Sequence, residues 1–123
     1  MISRSSFDEY MECILYKYNL NPLKNIDFSD YYMIGELSSK GNIIVVSLDR
    51  LKNGRLIISF IHNIEIMSDT DIYMFEWPKD IDFRLIISKF NNKDEIYIIK
   101  ELIRIIYNST YNRDNISKKY KLI

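Results

Sequence analysis

The densest set of chemically capable side chains lies between residues 69 and 82, where Asp69, Asp71, Tyr73, Glu76, Trp77, Lys79, Asp80 and Asp82 follow one another closely. Read with the period of two that a strand imposes, Tyr73, Phe75 and Trp77 alternate with Ile72, Met74 and Glu76. One face is therefore wholly aromatic, and carboxylates bracket both ends. Aromatic anchors with an acidic rim make a protein-binding patch that steers a basic partner. In the plainer reading the rings are core and the acids are turn residues in water. Asp27, Phe28, Asp30, Tyr31 and Tyr32 repeat the same acid-plus-aromatic character upstream. The partner-binding residues expected from these two sets are Asp30, Tyr31, Asp69, Asp71, Tyr73, Glu76, Trp77, Asp80 and Asp82.

Other reactive groups are sparse. His62 is the single histidine, between Phe60 and Ile64 on the apolar side of a strand pattern; it is either a general base or a buried imidazole with one satisfied hydrogen bond. Cys13 is the single cysteine, placed off the apolar stripe of a helix among Asp8, Glu9 and Glu12. Those are poor surroundings for a nucleophilic thiolate, and an inert thiol is expected. One histidine and one cysteine do not make the usual transition-metal sites, and Asp69-Thr70-Asp71 lacks the glycine and terminal glutamate of a calcium loop. Gly35, Gly41 and Gly54 stand singly, so there is no phosphate-cradling loop. Neither metal nor cofactor is expected.

The elements that must position these groups are legible in the periodicity. Phe7, Tyr10, Met11, Ile14, Leu15 and Tyr18 recur at spacings of three and four, which predicts a helix over 6–18 opened by the Ser6–Glu9 capping pair. Asn19, Asn21 and Pro22 stop it, and 20–30 reads as an irregular connector. Strands are expected at 31–38 and 43–49, joined through Gly41, and then along 55–67, where Leu56, Ile58, Phe60, His62, Ile64 and Ile66 share one face. Asn53-Gly54 is a strong hairpin signal before that strand. A fourth strand runs over 72–77 to Pro78, and a fifth over 81–90, with Ile81, Phe83, Leu85 and Ile87 on one side. A second helix opens near Asn92 and Glu95, and its broad isoleucine-rich stripe fits burial between the sheet and either the first helix or a second subunit of a homodimer. The expected fold is α+β, an antiparallel meander of about five strands with an N-terminal and a C-terminal helix on one face.

The 123 residues suit one domain spanning 1–123, large enough to bury roughly two thirds of its unfolded surface. Hydrophobic residues at 47% and charged residues at 28% exclude global disorder. Seventeen basic and seventeen acidic residues cancel, which argues against direct nucleic-acid binding and against an anionic-membrane binder. The charge is unevenly spread: residues 1–80 hold 8 basic and 12 acidic residues, and 81–123 hold 9 and 5, ending in a basic tail over 113–123 that is expected to be mobile. One cysteine permits a reducing compartment, and no apolar run approaches the length of a membrane span, so the expected location is cytoplasmic. Ala and Gln are absent while Ile, Asn, Lys and Tyr abound, a bias toward A/T-rich codons.

Taken together, a small α+β domain with acid and aromatic clusters in A/T-biased coding sequence resembles the immunity proteins that bacteria pair with secreted or contact-delivered toxins. The resemblance is one of size, style and composition over the whole chain, without a diagnostic motif. It implies a non-enzymatic cytoplasmic protein that binds one toxin domain, often a nuclease, and blocks its active site or substrate surface. Members of that group vary in fold and contacts, so no residue is carried over, and the neutral net charge departs from the acidic character of many nuclease inhibitors. The alternatives are a phage or viral accessory protein that antagonises a host factor by surface binding, and a small enzyme using His62.

Overall fold

The strongly apolar stretch from Leu56 to His62 forms the inner strand around which the other elements assemble. The computed structural model describes residues 2–63 and 72–109. In chain order they form α1 (Arg4–Tyr18), β1 (Tyr31–Ser38), β2 (Ile44–Leu51), β3 (Leu56–His62), β4 (Tyr73–Glu76), α2 (Phe83–Phe90) and α3 (Glu95–Tyr107). The strands make one four-stranded antiparallel sheet in sequence order, so the fold is α+β with a meander.

Register follows from the alternation of side chains. Val46 opposes Phe60 and Leu48 opposes Ile58 across β2 and β3, while Ile58 opposes Phe75 across β3 and β4. These residues therefore share one face. Phe7, Met11, Ile14 and Leu15 of α1, Phe83 and Phe90 of α2, and Ile98, Ile99, Leu102, Ile103 and Ile106 of α3 join that face in one buried cluster. Burial of each large apolar side chain contributes about 1.5–3 kcal/mol, which is what holds helices built without alanine.

The other face is covered differently. Leu51 and Ile57 are buried but stand outside the main cluster. The amide of Leu23 donates to the Met74 carbonyl at 2.8 Å on β4, and the amide of Lys52 donates to the Asp30 carbonyl at 3.0 Å at the start of β1. Residues 20–30 thus cross the sheet from one rim to the other. Phe28 meets Tyr31 edge-on at 5.3 Å, and the register of Tyr31 opposite Leu51 places it on the face away from the helices.

Local chemistry explains the ends. Ser3, not Ser6, caps α1, accepting the Ser6 amide at 3.2 Å, and Asn19 closes it in the left-handed region at φ 53°. Gly54 (φ 88°) permits the β2–β3 turn, where Asn53 Oδ1 accepts the Arg55 amide at 3.0 Å. In α3 the N-cap is Asp94, and Asn92 instead adopts φ 64° in the turn before it.

The fifth strand expected over 81–90 is a helix. Phe83, Ile86, Ile87 and Phe90 are spaced by three and four, and all contribute to or pack on the core, whereas Leu85, which a strand would put on one side with Phe83 and Ile87, is 62% exposed. Asp82 starts the helix by accepting the Arg84 amide at 2.9 Å. Gly35 of β1 receives it: a Cβ there would meet Ile87 Cδ1 at 2.8 Å, so the helix lies against bare backbone. The expected extension of the long strand over 64–67 and the basic tail over 113–123 lie outside the described residues.

Replacement of the cap is expected to be costly in proportion to this assignment. Asp82→Ala should lose about 1 kcal/mol by urea unfolding while Asp82→Ser retains most of the stability; equal midpoints for wild type and Asp82→Ala would contradict the cap.

Candidate functional site

The two acid-plus-aromatic sets fall on opposite rims of the sheet. The upstream set opens β1, which pairs with β2 alone, and the downstream set lies on and after β4, at the other edge. Arg55 stands between them: its Nε contacts Glu76 Oε1 at 2.7 Å, and it lines a cleft with Asp27 and Asp30.

On the β4 side the aromatic face turns inward. Phe75 and Trp77 are buried, the Trp77 indole N–H donates to the Ile81 carbonyl at 3.0 Å, and its ring meets Phe83 edge-on at 5.5 Å. Tyr73 is half-buried, its ring edge-on to Phe7 at 5.6 Å and its hydroxyl donating to Asp8 Oδ1 at 3.2 Å. Trp77 is therefore a core residue and not the expected anchor, because its position shares the face of Phe75 and Leu56 toward the helices. The carboxylates are placed individually: Glu76 is exposed in its ion pair with Arg55, Asp80 is exposed beside a cleft lined by Leu56, Trp77 and Ser109, and Asp82 is the helix cap. Asp69 and Asp71 lie outside the described residues.

The upstream set is exposed. Tyr31, Tyr32 and Met33 are each about half open to solvent, at 51%, 54% and 53%. Three large apolar side chains in succession on an edge strand are unusual, because edges are commonly guarded by charge or proline. Asp27, Asp30 and Glu36 surround them, all exposed and none in an ion pair among the described residues. The Ser29 amide donates to Asp27 Oδ1 at 2.9 Å and holds that carboxyl below its ordinary range, which keeps it charged. Lys52 and Arg55 line the cleft that holds Asp27 and Asp30, and Arg50 is engaged with Tyr32, donating to the hydroxyl and standing 5.4 Å from the ring centroid. Asp30 and Tyr31 were legible in the sequence; Met33 and Glu36 were not. The signal for Met33 was the failure of alternation across Tyr31-Tyr32-Met33, where a half-buried strand has a polar residue at every second place.

His62 lies in the interior, 2% exposed, with Nε2 donating to the Ile2 carbonyl at 3.0 Å and its ring 5.7 Å from Phe7. Its Nδ1 has no partner among the described residues. Cys13 is exposed on α1. No three His, Cys, Asp or Glu side chains among the described residues are grouped to hold a metal ion. No helix among them is long and apolar enough to cross a membrane. Comparison with known proteins finds no matching family, curated protein or solved structure.

One buried acid escaped the sequence reading. Asp49 is 5% exposed on the face away from the helices, opposite Met33 and Ile57. Its Oδ2 accepts the Ser47 hydroxyl at 3.4 Å, and its Oδ1 has no partner among the described residues. Burial raises its carboxyl above the ordinary range, the Ser47 hydrogen bond opposes that, and the Glu36 charge adds to it. A carboxyl whose folded pKa exceeds its unfolded value holds more proton in the folded state between the two values. Stability then falls as pH rises through that interval, and the penalty is complete above it.

Two outcomes follow for thermal unfolding. Asp49→Asn should raise Tm at pH 7 by about 2–4 °C, with the gain shrinking as pH falls to the ordinary carboxyl value of 3.8; a gain independent of pH would contradict the burial origin. Trp77→Ala should cost about 3–5 kcal/mol of stability, and loss of partner binding in a variant that stays fully stable would contradict its core placement.

Proposed function

We propose that the chain is a protein-binding module that neutralises a toxin domain, an immunity protein docking through the start of β1. The reading is supported by one observation above the others: Tyr31, Tyr32 and Met33 stand half-exposed in sequence on an edge strand, among carboxylates that are in no ion pair with another described residue. Tyrosine supplies a large contact area with few rotatable bonds, which is why it is frequent among residues that dominate interfaces. Asp27, Asp30 and Glu36 favour a basic partner, chiefly through the rate of encounter. A nuclease domain, whose substrate-binding surface is basic, has the matching charge.

The chemistry asked of this surface is occlusion. A bound inhibitor of standard size covers about 800 Å² on each partner, enough to shield a catalytic cleft without a reactive group of its own. The inward Tyr73, Phe75 and Trp77 then support the docking edge from the far side of the core and make no contact themselves.

The test uses the product of the gene directly upstream, where a toxin gene is expected. Its C-terminal domain should bind the purified chain with an affinity in about the nanomolar range, and co-expression should restore growth to cells that the domain alone arrests. Tyr31→Ala combined with Tyr32→Ala should weaken binding by about 30-fold or more while Tm changes little. A toxin domain that neither binds nor is neutralised, or full affinity in the double variant, would remove this assignment.

A further inference from the structure

The hydrogen-bond register of β1 identifies which backbone groups face open solvent, and with them a way of holding a partner. In an antiparallel pair, residues that exchange hydrogen bonds alternate with residues whose N–H and C=O point away from the neighbouring strand. The Lys52 amide bonds the Asp30 carbonyl at 3.0 Å, and the register pairs Tyr31 with Leu51, Tyr32 with Arg50 and Met33 with Asp49. Tyr32 therefore bonds inward to β2, and Tyr31 and Met33 direct their backbone groups outward. A bulge between Met33 and Gly35 shifts the count by one. Beyond it the Ser39 amide bonds the Ile44 carbonyl at 2.9 Å, which makes Glu36 and Ser38 the outward residues.

Ser38 verifies this accounting. Its amide donates to Asn91 Oδ1 at 2.9 Å, and its carbonyl accepts the Asn92 amide at 2.8 Å. The turn between α2 and α3 thus occupies the far end of the edge as one residue of an added strand does. The opposite rim is also engaged, at Met74 by the amide of Leu23. Among the described residues nothing bonds the outward groups of Tyr31 and Met33.

We infer that this open end of β1 receives an extended, basic segment of a protein partner as an additional strand, bonded to the backbone of Tyr31 and Met33. The inference rests on the protein-binding role proposed above and specifies how that role is carried out. Charge selects the occupant. Asp27, Asp30 and Glu36 line the open stretch and form no ion pair among the described residues. Antiparallel pairing with a second copy of β1 would bring Glu36 of one copy against the Asp27–Asp30 stretch of the other, and like charges directly opposed are unfavourable. A strand carrying Lys or Arg at alternate positions sets them beside Asp30, on the face opposite to Tyr31 and Met33, and main-chain hydrogen bonds supply the remainder of its binding. Apolar residues at its intervening positions would lie beside Tyr31 and Met33.

The probe is a short synthetic peptide alternating Lys and Val, added to the isotope-labelled full chain, with amide hydrogen exchange read by NMR. Protection of the Tyr31 and Met33 amides should rise by about tenfold or more at saturation, while the Tyr32 amide, already bonded to β2, stays as it was. The same peptide with Glu for Lys, or with alternate backbone nitrogens methylated, should give no protection. Met33→Pro removes one outward N–H at an edge position that tolerates proline and should abolish the effect; if its spectrum shows misfolding, Asp30→Lys with Glu36→Lys serves in its place. Unchanged Tyr31 and Met33 amides at saturating Lys peptide, or equal protection by the methylated peptide, would overturn strand addition. A toxin domain that binds and is lost with Tyr31→Ala and Tyr32→Ala, yet leaves the Tyr31 and Met33 amides exchanging freely, would also overturn it and leave the protein-binding role standing. Peptide protection without any toxin binding would support the edge mechanism and remove the toxin assignment alone.

Discussion

A sheet of four strands has two rims, and every backbone amide and carbonyl along them needs a partner from somewhere. Much of this architecture reads as an answer to that requirement. The connector after α1 reaches back to Met74 on one rim, and the turn between the last two helices supplies an asparagine side chain and a backbone amide to Ser38 on the other. Bare backbone at Gly35 lets α2 settle close enough to β1 for that turn to reach. Among the described residues, the stretch from Tyr31 to Met33 has no such cover.

The core and the rim divide the aromatic residues between them. Trp77, Phe75 and Phe60 are interior, and Trp77 and Phe83 lock β4 to the start of α2 through an edge-on contact and an indole hydrogen bond. Tyr31 and Tyr32, on a strand with one neighbour, keep half their surface in water. Sequence composition alone treats these sets as equals. Position in the sheet separates them, since β4 presents its aromatic face to the helices whereas the start of β1 carries Tyr31 on the other face and leaves Tyr32 half open to solvent.

What the chain reveals before folding follows the same division. β1 is legible to its ends through the turn residues that flank it, and α1 and the inner strands to within a few residues through their periodicity. The segment 81–90 reads as a strand in the sequence because Ile81, Phe83, Leu85 and Ile87 alternate as one would. The competing helical set of Phe83, Ile86, Ile87 and Phe90, headed by Asp82, becomes decisive only when Gly35 offers it a seat. Asp30 and Tyr31 could be singled out by type. Glu36 and Asp49 could not, because their importance comes from neighbours across β1 and β2 that are distant in sequence.

The bulge at Ile34 changes the phase of β1. Without the bulge, a regularly alternating strand would carry Tyr31 and Met33 in the row of Leu37, bound to the volume and shape of the interior. With it, the two halves of one strand answer to separate selective pressures: the second half must fit a fixed core, and the first is free to change with whatever it touches. A lineage could therefore exchange the first three side chains of this strand while the interior stays as it is.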